Sequence, residues 1–363
     1  MEMPERMNNK QPHRVINAVA PIRICDLGGW TDTWFAGHGT LLNVGVYPYV
    51  EVQIEVWPAD GVTERVVIFA ENFGDRYAPS LGNRVWIRHP LLEAALELMA
   101  VPDDLAVQVT IYSEAPPGAS TGTSASVAVA LIGALDRLTP GRLTPHEVAY
   151  RAHSVEVDLL GRQSGIQDQL CAAYGGINFV EMFAYPRATV SQLRLPDSTW
   201  WELERRLLLV FLGRSHDSSQ VHEHVIRQLE GAGPDCQQLE DLRSTAVPAR
   251  DALYAADWAG LGRAMIANTQ AQERLDMALV GQYAHRVINI GREYGALGWK
   301  VNGAGGEGGS VTLLCDTRSY AKRALIRAIQ EDNPLSRCLP IYLSRYGLRI
   351  WEGSRPPGLL PID

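Results

Sequence analysis

One segment, residues 105–138, limits the folds open to this chain more than any other. Residues 105–113 are rich in β-branched side chains, which is typical of a strand. Residues 116–126, Pro-Pro-Gly-Ala-Ser-Thr-Gly-Thr-Ser-Ala-Ser, are almost all small or carry hydroxyls. An apolar helix is predicted to follow, from about 124 to 138. The sequence therefore predicts a strand, a glycine-rich loop and the N-terminus of a helix, joined without a break.

This loop has the chemistry of an anion site. The first backbone N–H groups of a helix have no partner within it, the helix dipole favours negative charge there, and small side chains let a phosphate approach the backbone. No lysine stands where the P-loop of nucleotide triphosphatases requires one, so that class is excluded. A turn that only caps the helix is the alternative, and the segment alone leaves it open.

The remaining elements follow from periodicity and turn signals. A strand is predicted at 50–57, and the alternation in Val50-Glu-Val-Gln-Ile-Glu-Val56 predicts that it belongs to an antiparallel sheet with one solvated face. Thr144 to Glu147 forms a capping box with proline at the first helical position, and Gly161 marks that helix's end. Further strands are predicted at 15–25, 40–46, 66–71, 207–213 and 310–315 and near 341; helices at 91–99, 219–230, 236–256, 258–268, 281–295 and 320–331; and a helical turn, a glycine break and a strand within 170–182.

Length and composition restrict the function classes. The 363 residues suggest about two domains, with the boundary at 185–205, and residues 1–14 read as a short disordered leader without the apolar stretch of a signal peptide. The longest apolar run, Val127 to Leu135, is too short to span a membrane. A net charge of −8 and five scattered cysteines argue against nucleic-acid binding, a disulfide framework and structural zinc. We expect a cytoplasmic protein without membrane or nucleic-acid partners; a homodimer is left open.

A second glycine-rich segment, Lys300-Val-Asn-Gly-Ala-Gly-Gly-Glu-Gly-Gly309, contains the G-x-G-x-x-G spacing of dinucleotide-binding proteins. That fingerprint must leave a strand and open a helix. Here the glycines precede a predicted strand near the end of the chain. We therefore interpret them as a tight turn or a second loop facing a nucleotide.

Two carboxylates stand twelve residues apart on a predicted helix and the loop after it. Glu156 lies beside the buried stripe near the helix end, and Asp168 follows the loop Gly161-Arg-Gln-Ser-Gly-Ile-Gln. Acids placed in this way can divide metal binding and base catalysis between them. Asp168 alone is equally compatible with a cap of the following short helix.

The N-terminal strand ends in Arg23-Ile-Cys-Asp26-Leu-Gly-Gly-Trp-Thr-Asp32, which combines a glycine pair, an aromatic ring and two carboxylates. Sugar hydroxyls donate to carboxylate oxygens, and the C–H face of a sugar packs on a ring. The segment therefore indicates sugar binding, although Trp30 fits the core as well and Asp32 could cap a helix.

In this order and at these separations, the four segments resemble the GHMP kinases, the superfamily of galactokinase, homoserine kinase, mevalonate kinase and phosphomevalonate kinase. The segments at 20–33, 166–178 and 300–314 look most like the kinases of heptose phosphate and fucose, which phosphorylate an anomeric hydroxyl. The resemblance implies an α+β, two-domain fold: a ribosomal-protein-S5-domain-2-like N-terminal domain, 15–190, and a ferredoxin-like C-terminal domain, 191–363.

The resemblance also implies roles for individual residues, with ATP and Mg²⁺ as the cofactors. Asp168 matches the catalytic aspartate and Arg23 its basic neighbour, which favours the ionised carboxylate. Glu156 and Ser124 match the magnesium ligands. The residues implied for ATP are Pro117, Gly118, Ala119, Ser120, Thr121, Gly122, Thr123, Ser124, Gly303, Gly305 and Gly306. The residues implied for the sugar are Asp26, Gly29, Trp30, Asp32 and Asp168.

The chain departs from the superfamily pattern at three places. Ser120 and Thr121 replace the usual Gly-Leu, Glu307 interrupts the third glycine run, and Gly29-Trp30 replaces the Glu-His pair of galactokinases. The first two departures concern nucleotide preference, and the third argues against galactose as the substrate. The sequence favours an ATP-dependent sugar 1-kinase over a GHMP-fold kinase or decarboxylase for a non-sugar substrate, and over a non-catalytic sensor, because both Asp168 and Glu156 are present.

Overall fold

The structure is a computed structural model that describes residues 12–214 and 219–353. Seven strands belong to the first half of the chain: β1 (Arg14–Leu27), β2 (Gly39–Pro58), β3 (Val66–Ala70), β4 (Asp75–Tyr77), β5 (Leu105–Ser113), β6 (Ile177–Ala184) and β7 (Arg187–Gln192). The leader predicted for 1–14 falls outside the described residues up to position 11. Arg14, its last residue, is the first residue of β1.

The strand β2 is the central strand of the larger sheet. It pairs with β1 along its length on one edge, and on the other with β6 and then with β5. The sequence predicted two strands here, 40–46 and 50–57; they are one strand of 20 residues, which passes through a bulge opposite Pro21 and Ile22. Glu51 and Gln53 are exposed and alternate with buried Val50, Val52 and Ile54, so the predicted alternation is confirmed.

Two helices, α2 (Thr123–Asp136) and α4 (Gln167–Tyr174), pack against this sheet, and α1 (Pro90–Met99) and α3 (Pro145–Ser154) pack on those helices. The buried α2 packs against β1 and β2, as expected of a helix with apolar residues all round. The capping box on α3 is present. The predicted helix continues past α3 only as one π-helical turn, Val155–Leu159, before Gly161.

The second sheet has four strands, all antiparallel, in the order β11, β8, β10, β9. They are β8 (Leu207–Phe211), β9 (Gly298–Val301), β10 (Ser310–Leu314) and β11 (Arg337–Leu339). Seven helices accompany them: α5 (Asp197–Arg206), α6 (Ser219–Ala232), α7 (Gln237–Arg243), α8 (Ala246–Tyr254), α9 (Trp258–Leu275), α10 (Gln282–Glu293) and α11 (Ser319–Asp332). The single helix predicted at 236–256 is two helices, because the chain turns at Ser244 and Thr245.

The last described residues return to the first sheet. The last described strand, β12 (Arg349–Gly353), pairs antiparallel with β1. The strand predicted near Ile341 corresponds to the short β11, which ends at Leu339, and an isolated bridge then joins Leu343 to Val46. The two sheets agree with a two-part molecule, and the boundary between 190 and 191 stays a prediction. Within the described residues, no helix has the length and apolar character to cross a membrane.

Candidate active site

The loop between β5 and α2 is bent for close approach. Gly122, immediately before α2, has φ +70°, and no side chain caps the helix. A Cβ at this glycine would lie 2.9 Å from Asp168 Oδ2, so a larger residue would collide with that carboxylate. Ser120 has φ +56°, a backbone conformation that favours glycine. The loop is therefore bent closely around Asp168, with one strained serine in it, and its role as an anion cradle stays a prediction.

Asp168 and Arg23 form a two-point ion pair beside this loop. Arg23 Nε donates to Asp168 Oδ1 at 2.7 Å, and Nη2 donates to Oδ2 at 3.1 Å. The third nitrogen, Nη1, donates to the carbonyl of Ser120. Burial lowers the pKa of Arg23, but the carboxylates of Asp168 and Asp26 outweigh it and raise that pKa. The guanidinium is thus charged, and it orients a carboxylate that remains about a quarter exposed.

Glu156 lies buried in the π-helical turn, 4% exposed. Its Oε2 accepts hydrogen bonds from Gln169 Nε2 at 2.9 Å and Ser164 Oγ at 3.3 Å. Its Oε1 accepts none within the described residues. Burial raises the pKa of Glu156, and the nearby hydroxyl of Ser124 is among the groups that oppose this. A buried carboxylate oxygen without a partner, next to a hydroxyl, fits a hard divalent cation such as Mg²⁺.

A cleft of about 160 Å³ opens on the other side of Asp168. Asp32, 2% exposed, accepts a hydrogen bond from the backbone N–H of Gln167 at 2.9 Å, at the first residue of α4. Burial raises the pKa of Asp32 to about 6, although the bond from Gln167 opposes this. Asp32 thus lines the cleft and also caps a helix, so its position is compatible both with sugar binding and with helix capping.

The other predicted sugar-binding residues, Trp30, Gly29 and Asp26, lie around the same cleft and differ in what they contact. Trp30 adopts φ +76°, stands edge-on to His222 at 4.9 Å between ring centroids, and has an indole N–H without a partner among the described residues. Gly29 leaves room, since a Cβ there would lie 3.1 Å from Asp26 Oδ2. Asp26 is 1% exposed, and both its oxygens accept from the backbone N–H of Gly303.

A second cavity, about 320 Å³, adjoins the other side of the loop. It is lined partly by the predicted ATP residues Pro117, Thr123 and Ser124 and by apolar side chains from α1 and β5. Three further loop residues are absent from this lining: Ala119 is buried, and its carbonyl accepts from Ser310 Oγ at 2.6 Å. Gly118 is exposed with φ +72°, and Thr121 is buried with its carbonyl bonded to the N–H of Arg23.

The third glycine segment is a turn between β9 and β10, as expected, and it supports the loop. A Cβ at Gly303 would lie 3.0 Å from the Ser120 carbonyl. Gly305 and Gly306 lie against Leu279 instead: the N–H of Gly306 donates to the Leu279 carbonyl at 2.9 Å, and a Cβ at Gly305 would overlap it. Glu307 is exposed and faces Gly281, away from the loop.

The structure thus brings Arg23, Asp32, Asp168 and the loop together, with Glu156 adjacent to Ser124. Sequence reasoning assigned no role to Gln167, Gln169, Ser164 or Lys300, which hold the acids in place. Gln167 and Gln169 flank Asp168 in the chain, and that adjacency was the available signal. Nothing in the sequence around Lys300 indicates its partner Asp26, 274 positions away.

Comparison with known proteins agrees with this fold and site. Residues 90–176 match the family model described as the GHMP kinases N terminal domain. The chain is 32% identical over 250 residues to the mevalonate kinase of Methanothermobacter thermautotrophicus, covering 65% of this chain and 75% of that protein. The chain belongs to the GHMP kinase family, and the resemblance stated from its motifs is confirmed.

Two other relatives are sugar kinases. The chain is 26% identical over 228 residues to D-glycero-alpha-D-manno-heptose 7-phosphate kinase of Campylobacter jejuni, covering 63% of this chain and 66% of that protein. It is 26% identical over 331 residues to the bifunctional fucokinase/GDP-fucose pyrophosphorylase of Arabidopsis thaliana, covering 84% of this chain but only 30% of that protein.

A solved structure, a D-glycero-D-manno-heptose 1-phosphate kinase from "Bacteriodes thetaiotaomicron", superposes with a TM-score of 0.72 at 19% identity, covering 93% of this chain and 98% of that one. The two-domain GHMP kinase fold expected from the sequence is thereby confirmed.

Proposed function

We propose that this protein is a MgATP-dependent kinase that phosphorylates a sugar or sugar phosphate, at the anomeric hydroxyl. The observation that carries the proposal is the position of Asp168. The carboxylate, fixed by Arg23, stands between a cleft with acidic and aromatic walls and a glycine-rich loop at a helix N-terminus. Phosphoryl transfer needs this arrangement of positioning and charge stabilisation and little else.

In the proposed reaction, Asp168 accepts the proton of the sugar hydroxyl, whose oxygen attacks the γ-phosphorus of ATP as ADP leaves. Arg23 holds the carboxylate in one orientation through two hydrogen bonds. The backbone N–H groups at the start of α2 receive the phosphates. The apolar cavity lined by Pro117 and Val127 is suited to the nucleotide base.

Glu156 and Ser124 would hold the magnesium ion, which supplies positive charge to the phosphate oxygens when bound. In residues 12–214 and 219–353 no group of three or more His, Cys, Asp and Glu side chains is arranged for a metal. A site with two protein oxygens is consistent with this, because Mg²⁺ is commonly completed by water and substrate phosphates.

The substrate class is supported by the cleft and by the sugar-kinase relatives. Asp32 supplies a carboxylate and Trp30 an aromatic ring, which suit hydroxyls and a C–H face. The mevalonate kinase relative favours a second candidate, an alcohol that carries a carboxylate. Arg23 is the one arginine or lysine among the described cleft residues, and it is already paired with Asp168, which counts against a carboxylate-bearing alcohol and equally against a sugar whose phosphate would lie in this cleft. A cytoplasmic location, a homodimer and the absence of nucleic-acid partners remain predictions.

The test is a substrate panel with MgATP. It should contain heptose 7-phosphate, L-fucose, uronic acids, common hexoses and mevalonate, with ADP formation and the phosphorylated product both measured. We expect one sugar to exceed the other acceptors by at least tenfold in kcat/KM. Preference for mevalonate, or ATP hydrolysis without a phosphorylated sugar, would contradict the proposal.

A further inference from the structure

Lys300 is a buried charge to which the proposed mechanism gives no role. It is the third residue of β9, and its side chain is 1% exposed. A lysine ammonium is rarely buried without partners, because leaving water costs several kcal/mol. Here Nζ lies 3.4 Å from Asp26 Oδ1, donates to Gln272 Oε1 at 3.1 Å and donates to the carbonyl of Val301. Its three donors therefore have three acceptors.

Asp26 connects this lysine to the candidate active site. Besides Lys300, its carboxylate contacts the backbone N–H of Gly303 at 3.0 and 3.2 Å and lies 4.0 Å from Arg23 Nη1. One buried carboxylate thus joins the end of β1, the strand β9 and the glycine turn that supports the loop. Both oxygens are engaged with the protein, which leaves Asp26 little capacity for a sugar hydroxyl.

The four charges form a balanced chain. Two cations, Lys300 and Arg23, alternate with two carboxylates, Asp26 and Asp168. Arg23 donates to Asp168 and to the Ser120 carbonyl, and its Nη1 lies 4.0 Å from Asp26 Oδ1. Removing the lysine charge would leave Asp26 with an excess of negative charge in a buried place. Arg23 is the nearest remaining cation, and it would be drawn toward Asp26 and away from Asp168.

We propose that Lys300 is a positioning residue: acting through Asp26, it holds Arg23 and the Gly303 turn in place and thereby fixes the orientation of the Asp168 carboxylate. The proposal rests on the proposed kinase function. Lys300 is absent from the lining of either cavity beside the loop, so it acts on the rate without contacting sugar or nucleotide. Misplacing a reacting group by about 1 Å can cost 100-fold in rate.

The first experiment compares Lys300→Met with the wild type, using MgATP and the better of L-fucose and heptose 7-phosphate as acceptor. We expect kcat to fall at least tenfold, while KM for ATP and for the sugar changes less than threefold. The matched control is Lys322→Met. Lys322 is another partly buried lysine, whose Nζ donates to the carbonyls of Arg205 and Leu207 far from the site. It should lose stability and keep kcat.

A double variant, Asp26→Asn with Lys300→Met, tests the attraction of Arg23 to Asp26. Removing both charges leaves no unpaired buried ion, so the double variant should be more stable than Lys300→Met alone. Its kcat should rise at least threefold above that of Lys300→Met, because the neutral asparagine no longer draws Arg23 away from Asp168. If kcat stays at the level of Lys300→Met although stability returns, or if Lys300→Met keeps kcat within twofold of the wild type, Lys300 does not act through Asp26 on Arg23 and the proposal fails.

A crystal structure of Lys300→Met provides a measurement that does not depend on turnover. Movement of Arg23 away from Asp168 supports the proposal, and an unchanged ion pair contradicts it. Should the wild type phosphorylate neither sugar, the proposed function would fail, and the position of Arg23 in the variant would still decide whether Lys300 holds it.

Discussion

The glycine-rich loop and the segment after β1 flank the same carboxylate, but their residues are held in different ways. The loop, 116–122, takes its shape from neighbours in the chain, namely a strand, a bend at Gly122 and the start of α2, although its carbonyls also accept hydrogen bonds from Arg23 and Ser310. In the segment at 26–35, each acid is bonded to a distant part of the chain. Asp32 binds Gln167, 135 positions away, and Asp26 binds Gly303, 277 positions away.

This difference explains which functional residues can be found from sequence. A loop made of contiguous residues displays its chemistry as composition. An acid in a segment held by distant partners has no such signal, because the sequence does not show whether its oxygens will face a ligand or another part of the protein. Substitutions in the loop are therefore expected to change nucleotide binding. Substitutions of the acids at 26–35 are expected to change protein stability as well as sugar binding.

The largest effect should come from Asp168, where the two regions meet. Asp168→Asn removes the proposed base and should lower kcat by about 10² to 10⁴. Affinity for MgADP should change less than threefold, because the loop does not depend on the charge of Asp168. Steady-state kinetics and calorimetric titration measure the two quantities. A variant that keeps more than a tenth of wild-type kcat would show that Asp168 is not the base.

The next effect tests the nucleotide side alone. Glu156→Gln replaces a buried carboxylate that has one oxygen free and should raise the magnesium concentration for half-maximal rate about tenfold. Sugar affinity should be unaffected. Asp158→Asn is the control, since Asp158 lies exposed in the same π-helical turn. Equal magnesium dependence in both variants would return Glu156 to a structural role.

Asp32→Asn tests whether the acidic segment binds the sugar in addition to stabilising the fold. If Asp32 accepts a sugar hydroxyl, the loss of its charge should weaken sugar binding about tenfold. MgADP affinity should be unchanged. Normal sugar affinity would instead assign Asp32 to the capping of α4.

The same variant has a pH signature in stability. Burial raises the pKa of Asp32 to about 6, so the folded protein holds this proton more tightly than the unfolded chain does. Its contribution to stability is therefore greatest at low pH and is lost as pH rises through 6. Two pKa units correspond to about 3 kcal/mol. Urea unfolding should show the wild type gaining stability relative to Asp32→Asn between pH 7.5 and pH 4.5; a constant difference would contradict the raised pKa.

The same distinction between near and distant partners applies to the fold. The capping box of α3, the strand β5 and the helix α2 were predicted within a few residues, because their signals lie in adjacent residues. The pairing of β12 with β1 was missed, since nothing within 349–353 indicates a partner at the other end of the chain. The split predicted within β2 was wrong because pairing with β1 continues on both sides of a bulge at Tyr47 and Pro48, so the strand runs across it.

The smallest effect concerns Ser120, where the loop departs from what its own sequence would favour. A serine at φ +56° destabilises the folded protein by about 1–3 kcal/mol. A glycine there would remove that strain, but it would lower stability by about 0.4–1 kcal/mol because it makes the unfolded chain more flexible. Ser120→Gly should therefore stabilise the protein by about 1 kcal/mol. Arg84→Gly is the control, because Arg84 has φ +54° and is exposed.

Comparing the two variants shows what keeps the serine. Its carbonyl accepts from Arg23, and its side chain occupies the space above Gly303 and Gly309. If these contacts only offset strain, Ser120→Gly should gain less stability than Arg84→Gly and leave the KM for ATP unchanged. A rise of threefold or more in that KM would mean that the strained serine shapes the loop for the nucleotide, so that even this contiguous segment depends on distant residues, here Arg23 and the Gly303 turn.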